Sequence, residues 1–257
     1  MQKRTVLITG STSGIGLSIA TAFAQQGYNL ILNGLDPNGP QLTETLATTY
    51  RIDAVFDPAN MLDPAALRAM VSRAGQKFGG IDILVNNAGI QYVSPIEEFP
   101  EDRWDAILGV NLSSAFHLTK AVWPFMKNQQ FGRIINIASA HGLVASEFKS
   151  AYVAAKHGLV GFTKTIALEG ATCGITANAI CPGYVKTALV DKQIADQART
   201  HQLSEKEVIE KVLLAKQAIK QFIPAESIAA LCLFLASESA ATLTGAALPI
   251  DGGWSAQ

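Results

Sequence analysis

The sequence lacks an excess of either charge and contains few cysteines, and these two shortages exclude several classes of protein. Lys and Arg together number 20 and Asp and Glu 21, which gives a net charge of −1 at pH 7. Without a basic excess, the chain has neither the field of a nucleic-acid-binding protein nor a polybasic membrane anchor. The three cysteines are odd in number and lack metal-ligand spacing, so we expect buried thiols of a cytosolic protein and no metal site.

Long hydrophobic runs are also missing. No apolar segment reaches the roughly 18 residues that a membrane span requires. The first residues, Met1 to Arg4, run directly into an apolar strand, so we expect no signal peptide and a cytoplasmic location. No linker, charge block or internal repeat divides the chain. Its 257 residues, 49% of them hydrophobic, can bury a full core as one domain over residues 1–257.

Apolar runs typical of strands alternate with segments of helical periodicity along the chain. The strand interiors are continuously apolar, which is typical of strands covered on both faces. The alternation predicts an α/β fold: a doubly wound, parallel, seven-stranded sheet with helices on both faces, whose ligands bind beyond the carboxyl ends of the strands. The predicted strands are Val6–Thr9, Leu30–Leu32, Ala54–Phe56, Ile83–Asn86, Arg133–Ala138, Thr176–Ile180 and Ala247–Ile250. The predicted helices are Ile15–Gln26, Pro40–Tyr50, Pro64–Phe78, Asp102–Met126, Ala151–Gly170 and Ala225–Ala236.

One polar segment, from Thr187 to Pro224, breaks this alternation because it has helical periodicity and no partner strand. An insertion of this kind beside an active site is often a lid that closes over substrate and excludes water. We therefore predict a helical substrate lid at about residues 187–224. A surface helical hairpin without a catalytic part is the alternative.

A glycine-rich loop separates the first predicted strand from the first helix. Glycines there allow a tight turn and let the backbone approach a pyrophosphate, whose charge is favoured by the helix N-terminus. A merely tight strand-to-helix turn would explain the same glycines. The residues predicted to bind a dinucleotide in this loop are Gly10, Thr12, Ser13, Gly14, Ile15 and Gly16.

The sequence favours NAD over NADP as that dinucleotide. A 2′-phosphate needs Arg or Lys near the first loop or the end of the second strand, and neither occurs between Arg4 and Arg51. The nearest carboxylate that could bind the adenine ribose is Asp36, beside Leu35. Asp36 fits equally well as a turn residue before Pro37.

Tyr152 and Lys156 lie four residues apart, on one face of a predicted helix. A free phenol with a pKa of about 10 is a poor base, and a neighbouring ammonium would lower that pKa. Alone, such a pair is common on helix surfaces that have no function. Here Ser139, at the end of a predicted strand, could hydrogen-bond the same substrate oxygen, and Asn111 could hold a water that leads to Lys156.

Asn111, Ser139, Tyr152 and Lys156, in this order and spacing, resemble the catalytic residues of the short-chain dehydrogenase/reductase family. The glycine loop, the segment Asn86-Asn87-Ala88-Gly89 and Pro182-Gly183 extend the resemblance over essentially the whole chain. It implies a Rossmann-type sheet and hydride transfer between an alcohol carbon and a nicotinamide. Tyr152 would act as general acid/base, Ser139 would orient the substrate oxygen, Lys156 would bind the ribose and tune Tyr152, and Asn111 would support a proton relay.

The same resemblance implies further contacts to the cofactor. Asn60 stands where the family usually has Asp, which keeps hydrogen-bonding capacity but removes a charge. The other implied cofactor residues are Met61, Asn87, Ala88, Gly89, Tyr152, Lys156, Pro182, Gly183, Val185 and Thr187.

Four hydrogen-bonding side chains near the tetrad in sequence suggest a pocket for a carboxylate. They are Gln91, His141, Lys149 and, in the predicted lid, Gln193. Each has an ordinary alternative: Lys149 as a solvated loop residue, His141 as a turn residue and Gln193 as a lid surface residue. Their combination favours a small anionic substrate.

A narrower resemblance connects residues 134–145 and 149–158 to bacterial members of the family that act on short 3-hydroxy acids. It implies reversible oxidation of (R)-3-hydroxybutyrate to acetoacetate with NAD by a homotetramer, and carboxylate binding by the four side chains above. Tyr184 stands where this group often has Trp, in the apolar wall of the pocket. The rivals are a 3-oxoacyl-thioester reductase, which should carry a basic NADP clamp, and a catalytically silent NAD-binding regulator, which would not need all four catalytic residues.

Overall fold

The computed structural model describes residues 3–187, 190, 194, 198 and 203–256. Within these residues the strands are β1 (Thr5–Ile8), β2 (Asn29–Asn33), β3 (Ala54–Asp57), β4 (Ile83–Asn86), β5 (Gly132–Ile137), β6 (Ile175–Pro182) and β7 (Ala247–Ile250). They form one sheet in the order β3-β2-β1-β4-β5-β6-β7, and every neighbouring pair is parallel. The predicted doubly wound parallel sheet is therefore confirmed.

Helices connect these strands and cover both faces of the sheet. Within the described residues, five of them begin and end close to the residues predicted from the sequence, two divide one predicted helix, and one short helix lies in the predicted lid. They are α1 (Gly14–Gln25), α2 (Gly39–Tyr50), α3 (Pro64–Phe78), α4 (Glu101–Leu108), α5 (Ser114–Asn128), α6 (Ser150–Gly170), α7 (Glu205–Val208) and α8 (Ala225–Ala236).

The central strand β1 shows why the strands are apolar throughout. Val6 and Ile8 pack into a core cluster with residues of α1 and α8. Leu7, between them, points to the opposite face and packs with residues of α3 and α5. Because alternate side chains meet helices on opposite faces, neither face of the strand is left for polar residues.

The strand order reverses at β1, which pairs with β2 on one side and with β4 on the other. The loops that follow β1 and β4 therefore leave the sheet next to each other and flank a crevice at its carboxyl edge. The glycine loop follows β1, and the Asn86–Gly89 segment ends β4 and follows it. This topology places the predicted cofactor residues together.

A buried chain of side-chain hydrogen bonds crosses the layers beside this crevice. Asn86 of β4 donates to Asn136 of β5 (2.8 Å), Asn136 donates to Thr163 of α6 (2.8 Å), and Thr163 donates to the Leu159 carbonyl oxygen (2.7 Å). Asn86 and Asn136 are direct partners in the register of β4 and β5. This series of hydrogen bonds fixes α6, which carries Tyr152 and Lys156, against the middle of the sheet.

The prediction of one uninterrupted helix over Asp102–Met126 is wrong. A π-helical turn, Gly109–Ser113, divides it into α4 and α5. Such turns insert one extra residue and are frequent at functional sites. The Ser114 hydroxyl donates to the Val110 carbonyl oxygen at 2.6 Å beside the turn. Apolar periodicity continues across the interruption, so the sequence pattern did not reveal it, although it contains the predicted catalytic residue Asn111.

Part of the predicted lid lies within the described residues. Val185 pairs with Ile223 in a parallel bridge, which closes the base of the segment. The short helix α7 begins with a capping box in which Ser204 and Glu207 bond reciprocally. Val208 and Leu213 form a small apolar cluster of their own, against which Tyr184 packs. Lid closure stays a prediction, and Gln193 lies outside the described residues.

Two further properties concern the described part of the chain. None of its helices combines the length and apolarity needed to cross a bilayer, and none of its clusters of His, Cys, Asp and Glu could hold a metal ion. Cys181 and Cys232 are buried as expected, whereas Cys173 is only half-buried.

Candidate active site

A cleft of about 510 Å³ opens at the carboxyl edge of the sheet. It is lined by the loops that follow the first six strands and by the first turns of α6. Asp36 and Asn111 do not line it, although both were predicted to belong to the site. The predicted residues that line it are Gly10, Thr12, Ser13, Gly14, Ile15, Gly16, Leu35, Asn60, Met61, Asn87, Ala88, Gly89, Gln91, Ser139, His141, Lys149, Tyr152, Lys156, Pro182, Gly183, Tyr184, Val185 and Thr187.

The glycine loop adopts backbone conformations that other residues avoid. Gly10 has φ +59° and Gly14 has φ +52°, both in the left-handed region that favours glycine. A Cβ on Gly16 would overlap the Gly10 carbonyl oxygen. The Asn87 side chain pins the loop from β4 by donating to the carbonyl oxygens of Thr9 (2.9 Å) and Gly10 (3.0 Å).

The first turn of α1, Gly14 to Gly16, lines the cleft. Among the described residues, no side chain caps its first turn, because Ser13 at the N-cap forms no capping hydrogen bond. By contrast, the Asp63 carboxylate caps α3 by accepting from the Ala65 and Ala66 amides at 2.9 and 3.0 Å. The N–H groups of α1 and its dipole therefore fit the pyrophosphate of a dinucleotide.

The ribose end of the cleft is formed by the residues that follow β2. Asn33 does not present its side chain to a ligand, because its amide donates to the carbonyl oxygens of Asp57 (3.0 Å) and Ala59 (2.9 Å). Gly34 and the exposed Leu35 follow it. Sequence analysis missed Asn33 and Ala59 as lining residues, because only the three-dimensional arrangement of β2 and β3 brings them beside the glycine loop.

Asp36 and Asn60 both use a side-chain oxygen to shape their own turn. Asp36 is exposed, and its Oδ1 accepts from the Asn38 amide at 2.8 Å. Of the two alternatives for Asp36, the structure therefore matches the turn residue. Asn60 Oδ1 accepts from the Leu62 amide at 3.0 Å, so its amide nitrogen is the group left for a ligand. Met61, beside it, is buried under the cleft.

Cations lie at only one end of the described lining. Its Lys and Arg side chains are Lys149 and Lys156, both at the end that carries Ser139 and Tyr152. Within the described residues, the ribose end of the cleft has no cation that could bind a 2′-phosphate.

Ser139, Tyr152 and Lys156 come together where β5 ends against α6. Against the effect of burial, the Ser139 side chain lowers the pKa of the Tyr152 phenol, and its hydroxyl accepts from the His141 amide at 3.2 Å. Lys156 is buried, and its Nζ donates to the Ile137 carbonyl oxygen at 2.8 Å. The same Nζ lies 5.6 Å from the centre of the Tyr152 ring. Three of the four predicted catalytic residues thus share one corner of the cleft.

Asn111 acts from behind the cleft wall. Its carboxamide accepts from the Ile90 amide at 2.8 Å and donates to the Ile90 carbonyl oxygen at 2.9 Å. A Cβ on Gly89 would lie 3.2 Å from Asn111 Oδ1 and 3.8 Å from Lys156 Nζ. Asn111 therefore holds the loop after β4 against Lys156.

Burial dominates the electrostatics of Tyr152. Burial raises the pKa of the phenol, while the Ser139 hydrogen bond acts in the opposite direction and is the weaker effect. Burial also lowers the pKa of Lys156 to about 8. Lys156 directs its own hydrogen bond to Ile137, and a lowering of the Tyr152 pKa by this ammonium together with a bound nicotinamide cation stays a prediction.

His141 is buried and has both ring nitrogens in contact with hydroxyls. Nδ1 lies 3.4 Å from Ser139 Oγ, and Nε2 lies 3.0 Å from Ser146 Oγ. Burial, aided by repulsion from Lys149 and Lys216, lowers the pKa of His141 to about 3. The ring is therefore neutral at physiological pH, so only one of the residues predicted to bind a carboxylate in the described cleft is a cation.

That cation is Lys149, at the start of α6. Burial, together with repulsion from Lys216, lowers its pKa to about 8. Its Nζ donates a long hydrogen bond of 3.4 Å to the Tyr184 hydroxyl and lies 5.6 Å from the centre of the Tyr184 ring. Gln91 lines the same region of the cleft.

Trp254 completes this end of the cleft, and sequence analysis missed it. Its ring stacks on Tyr184 with centroids 5.7 Å apart and an angle of 5° between planes. The His141 ring lies nearly perpendicular to the Trp254 ring, and their centroids are 4.9 Å apart. Trp254 follows Gly252-Gly253, about seventy residues after Tyr184, so only the order of β6 and β7 brings the rings together. An aromatic residue shortly after a predicted core strand was the available signal.

Known proteins resemble the chain along its full length. The model of the short chain dehydrogenase family matches residues 4–198, and the chain belongs to this family. The chain is 53% identical over 256 residues to a D-beta-hydroxybutyrate dehydrogenase of Rhizobium meliloti, with 99% of each chain covered. It is 51% identical over 254 residues to the enzyme of the same name from Cupriavidus necator, with 99% of this chain and 98% of the relative covered.

A solved structure shows the same architecture. A variant of actinorhodin polyketide ketoreductase with NADPH superposes with a TM-score of 0.91 at 30% sequence identity, over 99% of this chain and 98% of the other. The predicted family is confirmed. The protein is thus an oxidoreductase that uses a nicotinamide cofactor.

Proposed function

We propose that this enzyme catalyses the reversible oxidation of D-3-hydroxybutyrate to acetoacetate with NAD. One observation carries the proposal: Ser139 and Tyr152, the proposed acid/base pair, line the same cleft as the ammonium group of Lys149. A short 3-hydroxy acid carries the two groups that these side chains would bind, a reacting hydroxyl and a carboxylate a few bonds away. The names of the two relatives above support the same substrate.

The proposed reaction begins with proton transfer from the substrate hydroxyl at C3 to the Tyr152 phenolate. The Ser139 hydroxyl, held by the His141 amide, donates to the same substrate oxygen and fixes its position. The glycine loop and the first turn of α1 would hold NAD, which would supply the hydride acceptor for C3 and the positive charge of a nicotinamide. The products are acetoacetate and NADH, and the proton leaves from Tyr152 to water.

Lys156 keeps Tyr152 competent in this scheme. Burial alone favours the neutral phenol, so ionisation needs a positive charge close by. The Lys156 ammonium lies on the ring of Tyr152 and would also bind the ribose hydroxyls. Asn111 supports this arrangement by positioning Ile90 and the preceding glycine.

Lys149 would supply the charge that holds the carboxylate. Neutral His141 would contribute by positioning Ser139 and by packing, since both of its nitrogens already face hydroxyls. Gln91, in the cleft wall, and Gln193, in the lid, would donate from their amides. Closure of the lid over residues 187–224, a single domain and a homotetramer remain part of this proposal.

NAD is proposed as the cofactor because the ribose end of the described cleft has no cation. Asn33 is fully engaged with the backbone after β3. A Cβ on Gly34 would lie 2.8 Å from the Thr12 side chain, so the loop leaves little room for a long basic residue there. The phosphorylated ribose of NADP would therefore meet no compensating charge.

The test is a substrate and cofactor screen that follows NADH absorbance. D-3-hydroxybutyrate with NAD should give the highest kcat/KM. The L enantiomer and NADP should each give much lower values. An acetoacetyl thioester reduced with NADPH more efficiently than acetoacetate with NADH would replace the proposal with a thioester reductase. Absence of turnover with every nicotinamide would favour a binding protein.

A further inference from the structure

The Tyr184 hydroxyl occupies a position that neither its role as a pocket wall nor the reaction explains. It accepts a hydrogen bond from Lys149 Nζ at 3.4 Å. Among the described residues, it donates to no acceptor. A hydroxyl that accepts from an ammonium still has its own proton to donate. Two donors of this kind, side by side and facing one cleft, match the two lone pairs of a single carboxylate oxygen or the two oxygens of one carboxylate.

The surroundings of Tyr184 hold this hydroxyl in place. Its ring lies parallel to Trp254, and its backbone amide donates to Gln217 Oε1 at 3.1 Å. Gln217 is completely buried, and its amide nitrogen donates to two further carbonyl oxygens. Since both the ring and the backbone are fixed, little conformational entropy would be lost when the hydroxyl binds an anion.

We propose that Tyr184 binds the substrate carboxylate through its hydroxyl and forms, together with Lys149, the anion site of this enzyme. The proposal rests on the proposed function. It adds the Tyr184 hydroxyl as a donor beside Lys149, where both nitrogens of the neutral His141 ring already face the hydroxyls of Ser139 and Ser146. A tryptophan at this position would keep the stacking but would not place a donor beside Lys149.

Burial raises the pKa of the Tyr184 phenol, so the hydroxyl keeps its proton over the working range of pH. An ionised Tyr184 would also raise the pKa of the nearby Tyr152, which shows that the two phenols share one electrostatic environment. A protonated Tyr184 is therefore compatible both with anion binding and with ionisation of the catalytic phenol.

The test compares Tyr184→Phe, which removes the hydroxyl and keeps the ring, with Tyr184→Trp. The control is Tyr92→Phe, since Tyr92 is exposed and packs on Phe99 away from the cleft lining. Butyrate, which has the carboxylate without the reacting hydroxyl, is titrated into each enzyme with NADH bound, and tryptophan fluorescence gives Kd. Activity is measured with D-3-hydroxybutyrate and with its methyl ester.

Tyr184→Phe and Tyr184→Trp should each raise the butyrate Kd about tenfold, which equals about 1.4 kcal/mol. The acid should lose about tenfold more kcat/KM than the ester, and Tyr92→Phe should match the wild type. Adding Lys149→Met to Tyr184→Phe should cost less than the product of the single losses, because both groups bind one carboxylate.

An unchanged butyrate Kd in Tyr184→Phe, or equal losses for acid and ester, would overturn the proposal and leave Tyr184 as a packing residue. The proposed function fails in a different way. A wild type that binds butyrate, and loses that binding in Tyr184→Phe, but does not oxidise D-3-hydroxybutyrate would retain the anion site and reject the substrate.

Discussion

Lys156 reaches across from α6 to donate a 2.8 Å hydrogen bond to the carbonyl oxygen of Ile137, the last residue of β5. The catalytic helix and the strand that leads to Ser139 are thereby tied together by the ammonium itself. The phenol of Tyr152, one helical turn away, is left to exchange protons with the substrate.

Tyr152→Phe should abolish most turnover and leave NAD binding nearly intact, because the ring packs as before and only the proton path is lost. The loss in kcat should fall in the range of about 10²–10⁴ expected for a general acid/base. Steady-state kinetics and a fluorescence titration with NADH measure the two effects. Retained turnover would remove Tyr152 from the mechanism.

The pH dependence of acetoacetate reduction should show the loss of the Lys149 ammonium charge. Its pKa is about 8, so the ammonium is present below pH 8 and is lost as the pH rises through that value. Lys156 titrates in the same range, whereas the Tyr152 pKa is raised and its proton is retained. Above pH 8, log kcat/KM should therefore fall more steeply for acetoacetate than for methyl acetoacetate.

The matched variant for this pH profile is Lys149→Ala. It should lower kcat/KM for the acid at pH 7 by at least about tenfold and give acid and ester the same slope above pH 8. If the variant harms both substrates equally, Lys149 supports the Tyr152 region structurally and binds no carboxylate.

Gly16→Ala should destabilise the protein and weaken NAD binding together. The added Cβ would overlap the Gly10 carbonyl oxygen, and relief of that overlap must move the loop, at a cost of about 1–3 kcal/mol. The control is Gly161→Ala in α6, where a Cβ meets nothing within 4 Å. That change should stabilise the helix by up to about 1 kcal/mol. Urea denaturation and NADH titration distinguish the two.

Cofactor preference should respond to a cation placed at the ribose end. Leu35 is 70% exposed and lines the cleft there. Leu35→Arg should raise kcat/KM with NADP by about tenfold, which is about 1.4 kcal/mol, through hydrogen bonds to the 2′-phosphate. Thr45→Arg, on the exposed side of α2, adds the same charge away from the cleft and should have little effect. Equal gains from both would indicate long-range attraction only.

His141 should make the enzyme sensitive to acid. Its pKa is about 3 in the folded protein and about 6.5 when unfolded, so the unfolded state binds more protons between these values. The contribution of neutral His141 to stability is therefore complete above about pH 6.5 and is lost as the pH falls towards 3, by up to on the order of 5 kcal/mol. His141→Asn should flatten the free energy of unfolding between pH 7 and pH 4.5, whereas His117→Asn, outside the cleft lining, should not.

Local patterns in the sequence predicted most of the fold. Strands such as β4 are short, apolar and bounded by polar residues, so their positions follow from neighbouring residues alone. The glycine loop and the helix carrying Tyr152 and Lys156 are equally local. The π-helical turn at Gly109–Ser113 was missed because it changes the helical repeat without changing the apolar pattern.

The substrate end of the cleft depends on contacts between distant parts of the chain. The stacking of Tyr184 on Trp254 requires β6 and β7 to be neighbours, and no spacing rule predicts it. The neutral state of His141 depends on its burial and on Lys149 and Lys216. The types of these side chains predicted a common binding pocket. They did not predict which side chain would keep a hydrogen-bond donor available for a substrate carboxylate.

The hydrogen-bond chain from Asn86 through Asn136 to Thr163 has a consequence for how such sequences can diverge. Each amide or hydroxyl in it satisfies the next, so replacing one member by an apolar residue leaves a buried partner unpaired. Homologous sequences that lack Asn136 should therefore also lack its neighbour in β4 or in α6. Residues at the three positions should therefore change together among homologues. Such covariation would identify the contacts that fix α6 against the sheet.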